Sequence, residues 1–251
     1  MFKEGIYLTI LDKIIYSKRI LRPPLMAIFL KKLHKDLVEN NKQNLRAVNE
    51  KKYQWLVATL KSALKNIDKG YISRDVMRRM MKVFVKNALM KDPKKIEEAK
   101  KKYGIIPSFI VLSPTSKCNL KCCGCYAAVP GTKFNTLSYD TVDKIADECY
   151  NKFNQRFMTI SGGEPFLYND KGKTLFDLWK KYDQMFFLVY TNGHFITAET
   201  AKRLAELGNV TVAISVEGME KETDARRGKG AFRKVLKAVS YTHLTLPTKR
   251  I

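Results

Sequence analysis

Histidine is scarce in this chain of 251 residues: there are three, His34, His194 and His243, with no H-E-x-x-H or H-x-E pattern around them. A zinc enzyme built on imidazole has almost no material to work with. Long apolar runs are missing as well. The best of them, Pro23 to Leu30, stops at Lys31 and Lys32, far short of the roughly 18 uninterrupted apolar residues that a bilayer span needs. The opening Met1-Phe2-Lys3-Glu4-Gly5 has no basic lead, apolar stretch or small-residue cleavage site. No secretory leader is therefore expected, and a cytoplasmic location follows. Acidic residues are outnumbered, 24 against 47 Lys and Arg, for a formal charge of +23. With 45% hydrophobic residues, 12 Tyr and 13 Phe, the chain is nonetheless unlike the aromatic-poor, highly charged segments that stay disordered. Its length allows one large domain or two modest ones, with a real core.

Cysteine is present but unevenly placed. Cys118, Cys122, Cys123 and Cys125 fall within eight residues and only Cys149 stands apart, which is unlike a disulfide framework spread along a secreted chain and suggests a thiolate-bound metal. Charge is uneven too: +16 falls in residues 1–107 and +7 in residues 108–251.

Residues 1–105 read as successive helices, a basic all-α domain. Ile6 to Ile20 carries Leu8, Leu11, Ile14 and Ile15 on one face, and Pro23-Pro24 is expected to end it, with a second helix starting near Leu25. Leu45 to Ile67 is amphipathic, and so is the run through Val76, Met80, Val83, Phe84 and Leu89 after the cap candidate Ser73. Asp92-Pro93 and Gly104 bracket one more helix, and Ile105 to Pro107 is the expected domain boundary. Beyond Pro107 the rhythm changes to β-branched runs alternating with helical patterns, the signature of βαβ units and a parallel sheet. Strands are expected at Phe109 to Leu112, Phe157 to Ser161, Phe186 to Tyr190 and Val210 to Val216, with helices near Tyr139 to Lys152, Thr174 to Tyr182, Ala198 to Leu207 and Ala231 to Ala238. In such folds ligands gather at the carboxyl ends of the strands. There lie the cysteine loop, Gly162-Gly163-Glu164-Pro165, Thr191-Asn192-Gly193 and Ser215-Val216-Glu217-Gly218.

The stretch Cys118 to Cys125 contains C-x3-C-x2-C directly after a strand. Four cysteines would close a four-iron cluster into an electron carrier, whereas three leave one iron open for a substrate or cofactor. This spacing, with its companion motifs, resembles the radical S-adenosylmethionine (radical SAM) superfamily over roughly residues 107–238. The resemblance implies an α/β fold, a partial parallel (β/α) barrel of which four βα units are present where the family usually has six. It implies that Cys118, Cys122 and Cys125 hold a [4Fe-4S] cluster whose open iron chelates the amino and carboxylate groups of S-adenosylmethionine. Reductive cleavage of that cofactor would give a 5′-deoxyadenosyl radical that abstracts hydrogen from a substrate. By the same resemblance Gly162, Gly163, Glu164 and Pro165 form the G-G-E-P motif at the methionine amino group, the glycines letting the backbone approach and Glu164 accepting from the ammonium. Ser215 and Glu217 would meet the ribose or methionine part, with Asn192 and then Arg227 as further candidates. A reductant such as ferredoxin or flavodoxin is implied, and anaerobic chemistry. Peptide or protein maturation is the first expectation for the substrate, then lipid or RNA modification.

One departure stands at the cluster motif: where the family often has an aromatic residue before the third cysteine, this chain has Gly124, with Tyr126 after Cys125. Cys123 is extra and reads as a bystander thiol, and Cys149 as a buried helix residue. A closed structural zinc site is the other reading of four clustered cysteines, and a non-catalytic iron-sulfur or zinc-binding module docking a partner through its helices is the alternative to an enzyme. The basic helices suit nucleic acid, an acidic leader peptide or an anionic membrane surface, or are a solvated face. Tyr53, Trp55, Tyr71 and Phe84 interleave with bases, and Ile6 to Leu33 mixes apolar residues with Lys13, Lys18, Arg19, Arg22, Lys31 and Lys32, as an interfacial helix pair would. After Ala238 the periodicity is expected to stop. Residues 239–251 resemble a translated sequencing adapter: TCT TAT ACA CAT CTG ACG CTG CCG ACG encodes Ser240 to Thr248 in frame. The natural chain is therefore expected to continue differently, with strands five and six beyond it and strand four left as an apolar edge.

Overall fold

In the computed structural model, which describes residues 4–41, 45–83, 93–104, 106–107, 109–127 and 135–244, the apolar runs after Pro107 become four strands. These are β1 Ile110–Leu112, β2 Phe157–Ile160, β3 Phe186–Thr191 and β4 Val210–Ile214, joined in sequence order into one parallel sheet. The register sets Ile110 opposite Met158, Met158 opposite Phe187 and Phe187 opposite Val210. Met158 and Phe187, at 0% exposure, form the centre of that row. One face of the sheet, with Leu112, Met158, Ile160, Phe187 and Val189, is packed into the core, while the other leaves Val111 53% and Tyr190 47% exposed; the segments were legible as short apolar, β-branched runs.

The connections are helical: α6 Tyr139–Asn151, α7 Leu175–Lys181, α8 Ala198–Leu207, and after β4 the pair α9 Glu220–Arg227 and α10 Ala231–Leu244. Their ends have local causes. The Ser138 hydroxyl accepts from Thr141 N (3.2 Å) to start α6, the Thr197 hydroxyl from Thr200 N (3.1 Å) to start α8, and Gly208 at φ +71° ends α8. Val142, Leu178 and Trp179 pack with Met158, Ile160 and Phe187 in one apolar core. The expected stop at Ala238 is corrected: α10 runs on to Leu244. Ala231, Val235 and Ala238 are buried and Tyr241 packs on the same core, so the helical stripe extends one turn further at the spacing that keeps it on one face. Residues 245–251 lie outside the described residues.

The chain divides into two compact units, residues 1–82 and 83–245, so α5 Pro93–Tyr103 groups with the sheet. The first unit is helical, with α1 Glu4–Tyr16, α2 Arg22–His34, α3 Arg46–Asp68 and α4 Arg74–Val83. Tyr7, Leu11, Ile14 and Ile15 are its most deeply buried residues in α1, Tyr7 taking the place expected for Leu8. Here too a boundary moves. Pro23 and Pro24 occupy the first turn of α2 instead of preceding it, because the first helical amides have no intrahelical acceptor and a missing N–H costs nothing there. The Ser73 hydroxyl accepts from Val76 N at 3.2 Å, as expected of the cap of α4; Phe84 and Leu89 lie outside the described residues. Of the bases expected on the surface, one is buried and another half-covered. Arg22, 5% exposed, pairs with Asp68 at 2.6 Å, and Lys32 sits 5.4 Å over the Tyr7 ring and 3.4 Å from Asp36. Among the described residues no helix is long and apolar enough to cross a membrane.

Candidate active site

All four strands end on one edge, and the chain is stitched there beyond the sheet itself. Past β1 and β2, Ser161 N donates to Leu112 O (2.9 Å), Gly163 N to Thr115 O (2.9 Å) and Glu164 N to Lys117 O (2.7 Å). The segment leading into Cys118 is thereby laid along Ser161 to Glu164. A Cβ at Gly162 would stand 2.5 Å from Thr115 O, and one at Gly163 2.2 Å from Lys117 O. Glycine is needed at both positions by the chain's own backbone, a reason additional to the cofactor approach that the motif implies.

Glu164 is fully buried. Its Oε1 accepts from the Thr191 hydroxyl (2.8 Å) and Phe166 N (3.2 Å), its Oε2 from Asn192 N (2.9 Å). Burial pushes this carboxyl above its ordinary range, while the three donors pull it back. The side chain thus ties the exit of β2 to the exit of β3, and its oxygens are occupied by protein donors.

Between these exits lies a cleft of about 230 Å³. Of the residues singled out in the sequence, Cys118, Cys122, Cys125, Gly162, Gly163, Asn192, Ser215 and Arg227 line it; Glu164, Pro165 and Glu217 do not. Pro165 instead opens a 3-10 turn, Pro165–Leu167. Asn192 is the junction of the site. Its Nδ2 donates to Asn119 Oδ1 (2.8 Å) and to Cys118 Sγ (3.7 Å), and its Oδ1 accepts from His194 N (2.9 Å). Cys118 also receives Leu120 N at 3.4 Å. Burial pushes its thiol up, and these two donors act the other way. Cys149 is buried in α6, its thiol pushed up to about 11 by burial, and takes no part in the cleft.

The donor set fits an iron-sulfur cluster. Among the described residues, three soft thiols and no carboxylate or imidazole line the cleft. A four-iron cluster takes one thiolate per iron, so it needs sulfurs spread around a cavity.

Among the lining residues not predicted for the site are Tyr126, Tyr190 and Arg226. The Tyr126 hydroxyl bonds Ser161 Oγ at 2.9 Å, so an aromatic ring does reach the cleft although Gly124 holds the position where the family often carries one. Tyr190, 47% exposed at the end of an otherwise apolar strand, carried a readable signal in that exposure-prone hydroxyl. Glu217 lies beside the cleft with Arg226 Nη1 at 2.8 Å and Arg227 Nε at 3.1 Å, and its carboxyl is held below the ordinary range, first by Arg227.

A family model described as the radical SAM superfamily matches residues 112–247. The chain belongs to the radical SAM superfamily. Members of the superfamily use a [4Fe-4S] cluster and S-adenosylmethionine. The chain is 33% identical over 132 residues to Fe-coproporphyrin III synthase of Methanosarcina barkeri, covering 52% of this chain and 32% of that protein. It is 32% identical over 131 residues to mycofactocin maturase MftC of Mycolicibacterium smegmatis (50% and 31% covered). Against the antilisterial bacteriocin subtilosin biosynthesis protein AlbA of Bacillus subtilis it is 30% identical over 139 residues (53% and 30%). The radical SAM match thus spans about a third of the length of these relatives. Among solved structures, Streptococcus suis SuiB bound to S-adenosylmethionine aligns with a TM-score of 0.47 at 23% identity, covering 59% of this chain and 35% of that one.

Proposed function

We propose that this radical SAM chain binds a [4Fe-4S] cluster through Cys118, Cys122 and Cys125 and S-adenosylmethionine beside it, and directs hydrogen abstraction from a substrate. The observation that carries this reading is the meeting of three family-spaced cysteines in one cleft with Gly162, Gly163, Asn192 and Ser215. When bound, the cofactor pair supplies one-electron cleavage of a C–S bond and, from it, a carbon radical strong enough to take hydrogen from carbon. The protein's part is to orient and shield. Asn192 donates to one sulfur and Tyr126 covers an exposed wall, while Glu164 holds the β2 and β3 exits together from beneath; its contact with the methionine ammonium requires that it exchange one of its present donors. Ser215 and Arg227, which line the cleft, would meet the ribose or methionine part, with Glu217 paired to Arg227 beside it. Anaerobic reconstitution tests the assignment. About four irons per chain, with 5′-deoxyadenosine formed from S-adenosylmethionine under reduction, is the expected result; tightly bound zinc and no cleavage would sink it in favour of a binding module.

For the substrate the reading extends to a peptide or protein, supported by relatives named as a maturase and a bacteriocin biosynthesis protein. The electron donor is a ferredoxin- or flavodoxin-like reductant. A specific surface also supports a position at an anionic membrane. Ile20, Leu21 and Ile28 are 82%, 57% and 59% exposed, on a stripe that includes Pro24 and is flanked by exposed Lys18, Arg19, Lys31 and Lys35. Apolar side chains ringed by bases suit the headgroup boundary of anionic lipid. The full chain should co-sediment with phosphatidylserine vesicles at low salt, and Ile20→Glu with Ile28→Glu should abolish it. Equal sedimentation of that double variant would rule this surface out.

A further inference from the structure

The loop that carries the cysteines has little of its own to fix it. Inside it the backbone bond is Cys125 N to Cys122 O, long at 3.3 Å, around Gly124 at φ +68°. A firmer tie comes from 103 residues away. Cys123 N donates to Arg226 O at 2.9 Å, and Arg226 Nε donates back to Cys123 O at 3.3 Å. This reciprocal pair brackets the one residue that follows Cys122 and precedes the turn to Cys125. Arg226 itself is held: its Nη1 reaches Glu217 Oε2 at 2.8 Å, and the other oxygen of that carboxylate takes Arg227 Nε at 3.1 Å. A planar guanidinium anchored on one edge by a carboxylate presents its remaining N–H in a fixed direction, which a lysine ammonium does not.

We propose that Arg226 is a positioning residue for the cysteine loop: its side chain, oriented by Glu217, fixes Cys123 and through it the relative placement of Cys122 and Cys125. The inference rests on the reading of those cysteines as cluster ligands. It gives Cys123 a purpose that has nothing to do with its thiol, because both bonds are made by the main chain. It also gives Glu217 a role outside cofactor contact. The bond from Cys123 N to the Arg226 carbonyl survives any side-chain change, so substitution should loosen the loop without releasing it.

The test uses the full chain, reconstituted anaerobically with iron and sulfide, as wild type, Arg226→Ala, Arg226→Lys, Glu217→Gln and Cys122→Ala. Iron content, the rate at which a chelator bleaches the cluster, the electron paramagnetic resonance line shape of the reduced cluster and far-ultraviolet circular dichroism are read for each. Arg226→Ala should fold and load, bleach about tenfold faster, as loss of a hydrogen bond from a charged donor predicts, and show an altered line shape. Arg226→Lys should restore part of both, and Glu217→Gln should fall between. A wild-type bleaching rate and line shape in Arg226→Ala, with Cys122→Ala devoid of cluster, overturns the clamp and leaves the ligand reading standing. Full cluster content in Cys122→Ala, or none in the wild type, overturns the ligand reading and the clamp with it. Should Arg226→Ala fail to fold, Glu217→Gln decides: faster bleaching with unchanged dichroism supports the clamp, and a wild-type rate overturns it.

Discussion

Among the described residues, each unit of this chain takes one charged side chain out of water, and the two are served differently. Glu164, in the α/β unit, has protein donors on both oxygens. Arg22, in the helical unit, has Asp68 on Nη1, while its buried Nε and Nη2 lack a hydrogen-bond partner. The cause lies in the backbone. Where parallel strands end, the ladder stops and amides such as Asn192 N and Phe166 N are left to bond whatever stands between the exits. Inside a helical bundle nearly every main-chain group is already consumed by its own helix, so a buried guanidinium finds only another side chain. The strand exits of an α/β sheet are thus ready to hold a charge, and a helix pair is not.

The largest expected effect falls on the well-served charge. Glu164→Ala would leave the Thr191 hydroxyl, Phe166 N and Asn192 N without their acceptor, at a cost of about 4 kcal/mol. The two tryptophans allow each unit to be followed by itself, since Trp55 lies in the first and Trp179 in the second; urea unfolding of Glu164→Ala in a Trp55→Phe background reads the α/β unit alone. Next, Gly163→Ala should cost about 3 kcal/mol, because the added methyl meets the Lys117 backbone and something must shift. Gly124→Ala has open space around it and should cost only about 1 kcal/mol, from its left-handed backbone. Arg22→Met, made together with Asp68→Asn so that no carboxylate is left unpaired, should change the stability of the helical unit by less than about 1 kcal/mol, since an apolar side chain of similar length replaces a charge with unmet donors. If that double variant proves as damaging as Glu164→Ala, the contrast between the units is wrong.

The smallest effect is a difference in sign between two glutamates. The Glu164 carboxyl is raised above its ordinary value of 4.5 by burial, so the folded chain binds that proton more tightly than the unfolded one. Its contribution is full below pH 4.5 and is lost as pH rises through the raised value. Glu217 is lowered by Arg227 and then Arg226; its contribution is full above its ordinary value and is lost as pH falls through the lowered one. In stability measured against pH, Glu164→Gln should flatten a decline on the upper side and Glu217→Gln a rise on the lower side. Two changes of the same direction would contradict this assignment.

The strands and most helices could be read from the sequence because short apolar, β-branched runs mark the strands and burial of one helical face writes a period into neighbouring residues. The cysteine spacing was legible for the same reason, being local. What could not be read were bonds between distant segments. Thr191 and Asn192 reach Glu164 across 27 and 28 residues, and no pattern within either stretch records that the carboxylate faces inward. Arg22 and Lys32 counted as surface bases by type, yet each follows the geometry of a helix face that points at Asp68 or Tyr7. The prolines of α2 sent two opposite signals, stop and start, and only the position of the turn Arg19–Leu21 decides between them.

The tie between Cys123 and Arg226 also sets a schedule. At about 5–20 residues per second, a ribosome needs roughly 5–20 s to add the residues that separate them. For that interval the four clustered thiols have left the peptidyl-transferase centre while the helix that braces them has not been made. The loop is thus loose before α9 exists and braced after it.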